Sequence, residues 1–492
     1  MPDNITFSSI PVDYRVPGAY IEIDHTRAVR GLPQAPHKML VLGQRLATGT
    51  KPAGELLKVT RKEDGVNYFG RGSMLAQQIE AALLVNPYTE CYALALDDNG
   101  AGVTAAGTIT IGGSPTESGT LNLRVGGRNV QAGVTTSQTP TQVATALAAA
   151  INADLDGAVT ATSAVGVVTI TSRHKGTEGN DIDLRLNYYQ GEATPKGLTA
   201  VIVAMAGGTA NPDVTAAITA MSSIAAYTIL MAWTDTANLA LMEAELALRW
   251  NGMQMRQGHV FGHKAGTYAA LSAYGSARNS PHSTFSGLNK SPTLPWVISA
   301  QFGAAVEFSG ANDPAIPFRS IALPSVMAPL EKDRFIESER NLLLRDGIST
   351  IVFDQSGAAT VEQVITTYQQ NTFGMEDISL LKLNTKWTVD YIRYAFRVAI
   401  LRDYPQHKLA GDDVLALIQP GQKIATPKLI RNTLIGMATQ LVRAGIMEDL
   451  PQFIRDLIVV RSDSDPNRVN AILPANTVNQ FDVFAASVQY IL

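Results

Sequence analysis

One cysteine, Cys91, stands among 492 residues, so no disulfide framework staples this chain. It lies in the strand-like run ECYALAL and reads as a buried structural thiol, not a nucleophile, in a reducing compartment. Charge is sparse too: 17% of residues are charged, and 43 acidic against 39 basic side chains leave a net −4. That balance gives no global case for a nucleic-acid partner. No apolar run approaches the roughly 18 residues a membrane-spanning helix needs, so no membrane insertion is expected. The opening MPDNITFSSI has no basic segment followed by an apolar core, so no secretory signal is expected either.

Catalytic motifs are missing as well. There is no G-x-S-x-G elbow and no H-E-x-x-H. GQRLATGTKP (residues 43–52) follows an apolar strand as a phosphate loop would, but five residues separate its glycines, Lys51 follows Thr50, and Pro52 replaces the hydroxyl that would hold Mg²⁺. Proline also removes a backbone N–H that a phosphate cradle would use. GHVFGHK sets His259 and His263 four apart, which on a helix would make a metal pair. Its glycines and the Val-Phe pair read as a strand, where such positions lie about 13 Å apart, so two histidines at a strand edge are expected. Asp181 and Asp183 in GNDIDLRL would share a strand face, as at a Ca²⁺ site, but no loop of further oxygen ligands accompanies them. No catalytic residue, cofactor or metal site is predicted.

What remains is a chain too long for one core, 46% hydrophobic and with 40 glycines, a composition that suits burial of much surface against other chains. HKMLVLG, the helix SMLAQQIEAALLVNP capped by Ser73, and ECYALAL read as β–α–β. From residue 97 to 208 the text turns Thr-, Val- and Gly-rich, a series of short strands interrupted by the helix TPTQVATALAAAINAD. The α/β pattern then resumes: a helix from Asp213 toward Tyr227, the strand YTILMAW, the helix TDTANLALMEAELALRW and the strand GHVFGH. SARNSPHSTFSGLNKSPTLPW is expected to be a long loop, SAQFGAAVEFSG a helix, and GISTIVFD with AATVEQVITTY a hairpin. Beyond about residue 380 come two helices, KWTVDYIRYAFRVAILRDY and PKLIRNTLIGMATQLVRAG, then strands in FIRDLIVVRS and RVNAILPA.

Two features point to partners. FDVFAASVQYIL alternates as a strand, with Phe484, Ala486, Val488, Tyr490 and Leu492 on one face. At the other end ITFSSI supplies Ile5, Phe7 and Ile10. Strands without an intrachain slot need a neighbour for their N–H and C=O groups, and completing another copy's sheet supplies one. In the second helix Lys428, Arg431 and Arg443 fall within about a 120° arc that also holds Ile435 and Val442. Residues 386–461 carry 11 Lys/Arg against 7 Asp/Glu, a local +4 suited to a solvated face or to an acidic protein surface.

Several stretches together resemble one family. PGAYIEID is similar to the N-terminal Pro-Gly-aromatic-acidic strand of contractile phage tail sheath proteins of the Mu-like branch. GTEGNDIDLRL resembles that family's G-x-x-G-N-x-I-x-[LV] strand, MAGGTANPD its Gly-Gly turn into a helix, and DPNRVNAILPANTVNQFDVFAASVQYIL its ending. The resemblance implies a fold of mixed α/β and α+β domains: an extended N-terminal arm over 1–20, a split subtilisin-like α/β core over 21–96 and 209–380, an inserted β-rich outer domain over 97–208, an α+β inner domain over 381–478, and a strand arm over 479–492. It further implies hexameric discs stacked helically around a tail tube, with Lys428, Arg431 and Arg443 as candidate tube-facing residues. Implied partners are other copies, the tail tube protein, and baseplate and terminator proteins, in a virion tail assembled in the host cytoplasm. A static tube or capsid subunit and a subtilisin-like hydrolase are the alternatives; the second has no nucleophile motif to support it.

Overall fold

The computed structural model describes residues 15–20, 32–417 and 422–491. Ile5, Phe7, Ile10 and Leu492, with the second half of PGAYIEID, lie outside the described residues. The chain divides into two compact units, Ala35–Tyr391 with Thr477–Leu492, and Met1–Gln34 with Ile392–Asn476.

The first unit opens with β1 (Lys38–Gln44), β2 (Leu56–Val59), α1 (Lys62–Phe69), α2 (Met74–Val85) and β3 (Glu90–Leu96). The run MLVLG buries both faces of β1, the signature of a central parallel strand. α2 starts where the Ser73 side chain accepts the Ala76 N–H at 3.2 Å, buries Leu75 and Ile79, and returns the chain to β3, parallel to β1.

Residues 104–206 build sheets of their own. β4 (Thr104–Gly113), β5 (Gly119–Val125), β6 (Arg128–Val134), α3 (Pro140–Ala153), β7 (Val159–Ala164), β8 (Val167–Lys175), β9 (Leu184–Leu186) and β10 (Leu198–Ala206) follow in order. They form the sheets β10-β4-β8-β7 and β6-β5-β9. Thr139 and Gln142 cap α3 reciprocally, Pro140 sits in its first turn, and Val143, Leu147 and Ile151 enter the shared apolar cluster.

The large sheet then continues with α4 (Thr215–Ala220), β11 (Thr228–Met231), α5 (Thr236–Trp250), β12 (His259–Ala265), α6 (Tyr268–Ser276), β13 (Ser283–Leu288), α7 (Pro295–Asn312), α8 (Glu337–Arg345), β14 (Ile348–Phe353) and β15 (Ala359–Gln363). Its order is β15-β14-β13-β12-β11-β1-β3-β2, parallel within and antiparallel at both ends. α7 is apolar around most of its circumference because it is covered on most sides. A Cβ at its Gly303 would come within 2.3 Å of Leu230 and 2.8 Å of Phe261, so glycine sets how closely α7 lies on the sheet.

The long loop expected between β12 and α7 is corrected by the structure: it contains β13, six residues all buried. The two histidines are not at a strand edge, because β12 lies inside the sheet. The helix expected from Asp213 to Tyr227 spans only α4 and one 3-10 turn at Met221–Ser223. Asp181 ends a second 3-10 turn, Thr177–Asp181, so it does not share a strand face with Asp183.

The second unit holds most of α9 (Leu383–Asp403), with α10 (Pro427–Arg443) and α11 (Leu450–Asp456). The division falls inside α9. α10 buries Leu434, Met437, Ala438 and Leu441, while Phe396 stacks on Phe453 of α11 at 5.8 Å. FIRD, expected as a strand, is helical: the Asp449 side chain accepts the Gln452 N–H and starts α11. The strands Ile458–Arg461 and Val469–Ile472 pair antiparallel as an isolated hairpin.

Candidate functional site

In an open parallel sheet, ligands bind beyond the carboxyl ends of the strands where the strand order reverses. Here the reversal lies between β1 and β11, and the inserted residues close it. Gln44, last in β1, donates to Asp98 and to the Lys175 carbonyl, both at 2.7 Å, and accepts from the Trp233 indole. His174 accepts the Met74 N–H on Nε2 at 3.0 Å, so its Nδ1 carries the proton and donates to Asp98 at 3.0 Å. Glu178 is buried and accepts from the Thr234 N–H at 3.5 Å, and burial pushes its carboxyl up to about 8. The place where a doubly wound enzyme would bind substrate is filled by side chains that satisfy one another.

The other chemical candidates are engaged too. Leu46, Thr50 and Lys51 of the phosphate-loop lookalike donate their N–H groups to the carbonyls of Phe69, Asn67 and Tyr68 at the end of α1. His259 meets Thr284 at 2.7 Å and His263 meets Ser286 at 2.9 Å, and burial holds the His263 imidazole down near 3. Asp183 bonds Arg185 at 3.1 Å, and Asp181 lies 3.9 Å from Lys264. Burial pushes the Cys91 thiol up to about 12. Among the described residues no group of three His, Cys, Asp or Glu is placed to hold a metal. No helix among them is long and apolar enough to cross a membrane.

The surfaces are less complete than the interior. Residues 478–491 belong to no helix or strand. Asp482 is fastened twice: its carboxylate pairs with Lys382, and its carbonyl accepts from Arg319 at 3.2 Å. From residue 483 to 491 every side chain is exposed, with Phe484 at 79%, Val488 at 90% and Tyr490 at 80%. The apolar alternation is present, and no surface of the chain's own unit covers it. The hairpin Ile458–Arg461/Val469–Ile472 likewise shows Ile458, Val460 and Ile472 to solvent.

The basic arc of α10 is only partly available. Arg431 is spent on the backbone carbonyl of Ile454, tying α10 to α11, whereas Lys428 and Arg443 are exposed. The structure thus separates Arg431 from the other two candidate residues.

Two family models match the chain, the phage tail sheath protein central domain over residues 207–367 and the phage tail sheath C-terminal domain over residues 376–491. The Mu-like prophage FluMu tail sheath protein of Haemophilus influenzae (strain Rd) is 40% identical over 489 residues, covering 99% of this chain and 100% of that protein. The chain belongs to the phage tail sheath family.

It is a structural sheath subunit of the Mu-like branch. Solved sheath tail proteins from Desulfitobacterium hafniense (13% identity, 94% of this chain and 97% of that one, TM-score 0.49) and Listeria innocua (12%, 91% and 93%, TM-score 0.48) are similar over most of their length. At those scores they add nothing to the assignment, which rests on the relative and the two family models. For a sheath subunit, what the sequence reading missed is the fastening at Asp482. Its partners stand 100 and 163 residues away, and no local pattern marks them.

Proposed function

We propose that copies of this sheath subunit stack helically as hexameric discs around a tail tube, joined by strand addition. On contraction the sheath drives the tube through the host envelope. The observation that carries the reading is the segment 483–491, which pairs the apolar alternation of a strand with full exposure of its side chains. An extended segment of that kind gains backbone hydrogen bonds and side-chain pockets by adding to a sheet edge of another copy. A two-stranded hairpin is marginal by itself, and Ile458–Arg461 with Val469–Ile472 offers such an edge with apolar side chains already showing. We assign it as the acceptor. Because donor and acceptor are different surfaces, the contact repeats head to tail and yields a helical array.

In this reading the α/β body is a subtilisin-like scaffold without catalysis, as the filled crevice supports. Contraction draws on inter-subunit burial, about 25 cal/mol per Å² of apolar area summed over many copies, and needs no nucleotide. Lys428 and Arg443 face an acidic tube surface in the extended state, and baseplate and terminator proteins bound the stack. Assembly takes place in the host cytoplasm.

Deletion of residues 483–491 tests the proposal. Electron microscopy of the purified variant should show dispersed subunits where the intact protein forms hollow cylinders. Cylinders of normal length from the shortened protein would overturn strand addition by this segment.

A further inference from the structure

Among the described residues Phe373, 83% exposed, is the most exposed aromatic side chain, and its loop is built to hold it out. The Asn371 side-chain oxygen accepts from the N–H groups of Phe373 at 2.9 Å and Met375 at 3.2 Å, and the Asn371 N–H donates to the Met375 carbonyl at 2.9 Å. Gly374 takes the left-handed backbone at φ 74°, and the Tyr368 hydroxyl closes the base by donating to Asp377 at 2.6 Å. Met375 and Ile378 are exposed beside Phe373. A turn fixed in this way loses little freedom when it binds. Its two ionisable side chains, Glu376 and Asp377, are both acidic.

The same unit carries a groove of about 520 Å³ between α1 and α2, the β5–β6 turn and the start of α7, a volume typical of ligand cavities. Leu83, Leu84, Pro87, Val297 and Met327 give it an apolar lining. Its charged side chains are Arg61, Lys62 and Arg128 against Glu80 alone. Lys62 lies 3.5 Å from Glu80 and Arg128 is held by Asp154, while Arg61 forms no ion pair among the described residues.

We infer that the Phe373 turn of one copy seats in this groove of a second copy, Phe373 against Leu84 and Glu376 facing Arg61. Charge selects the occupant: residues 483–491 contain no Asp, Glu, Lys, Arg or His, so a basic rim offers that segment nothing, whereas it complements the acidic turn. Knob and groove are different surfaces, so the contact propagates in a line and does not close on a dimer. The inference deepens the self-assembly proposed above and rests on it.

Leu84→Cys combined with Phe373→Cys, both at exposed positions, tests it in the full-length protein, where buried Cys91 stays silent. Oxidation should give a ladder of disulfide-linked copies on a non-reducing gel, absent from either single variant. Separately, Arg61→Glu and Glu376→Arg should each raise the concentration needed for assembly about tenfold, and the double variant should restore it. Cylinders without a ladder, a link from the Leu84→Cys thiol to any other polypeptide, or charge reversals that merely add would each overturn the contact. A ladder in protein that forms no cylinders would uphold the contact and sink helical assembly instead.

Discussion

Ser283–Leu288 and residues 483–491 invert each other. STFSGL has few strand-favouring apolar residues, yet it forms β13, wholly buried between β12 and β14. VFAASVQYI has a strand's alternation, yet it forms no strand and is exposed throughout. The difference lies in the surroundings. Every hydroxyl of β13 has a partner brought by another element: Ser283 donates to Glu243 at 2.6 Å, Thr284 meets His259 and Ser286 meets His263. A Cβ at its Gly287 would come within 2.7 Å of Leu271 and 2.8 Å of Ile348, so the missing side chain is space already taken. The outer segment has no such surroundings in its own unit. Alternation reports the surface a segment is suited to, while pairing depends on whether that surface is present.

Three measurements sharpen this comparison. Phe285, the one aromatic of β13 and fully buried, should show the largest effect: Phe285→Ala is expected to cost about 3–5 kcal/mol of stability, read from the denaturant midpoint. A loss below about 1 kcal/mol would mean that β13 is not the packed strand described.

The next concerns pH. Burial raises the Glu178 carboxyl from the ordinary 4.5 to about 8, so the folded protein holds that proton more tightly than the unfolded chain. Its contribution to stability is whole below pH 4.5 and is lost as pH rises through 8. His263 acts in the opposite sense. Its imidazole is held down near 3, so its contribution is whole above pH 6.5 and is lost on acidification. Of these two groups, only Glu178 still contributes a slope between about pH 6.5 and about pH 8. Stability should fall across it, and Glu178→Gln should flatten the fall; an unchanged slope would remove Glu178 as its cause.

The smallest effect belongs to the exposed segment. Removing residues 483–491 should leave the thermal midpoint of the isolated subunit within about 1 °C, since those side chains bury nothing in their own unit. A drop of about 5 °C would show that the segment contributes to its own fold.

Much of the body was legible because its periodicities are local. β1, α2 and β3, and the helices α3, α9 and α10, follow from apolar spacing and, for α2, from the Ser73 cap. β13 was not legible, because its residues are small and polar and are satisfied only by side chains from other elements. α11 read as a strand because the alternation in FIRDLIVV continues past Asp456 into Ile458–Arg461, while the cap that starts the helix lies earlier, at Asp449. The basic arc of α10 was visible as an arc, but Arg431 finds its acceptor 23 residues away, at a backbone carbonyl that no side-chain pattern announces.

The clasp at Asp482 has a mechanical consequence. Tension applied beyond residue 482 enters the body through the two cations that grip it, Arg319 after α7 and Lys382 before α9. Two anchorages on one residue resist twisting as well as pulling, so a pull on the residues beyond it would act on this unit about a defined pivot.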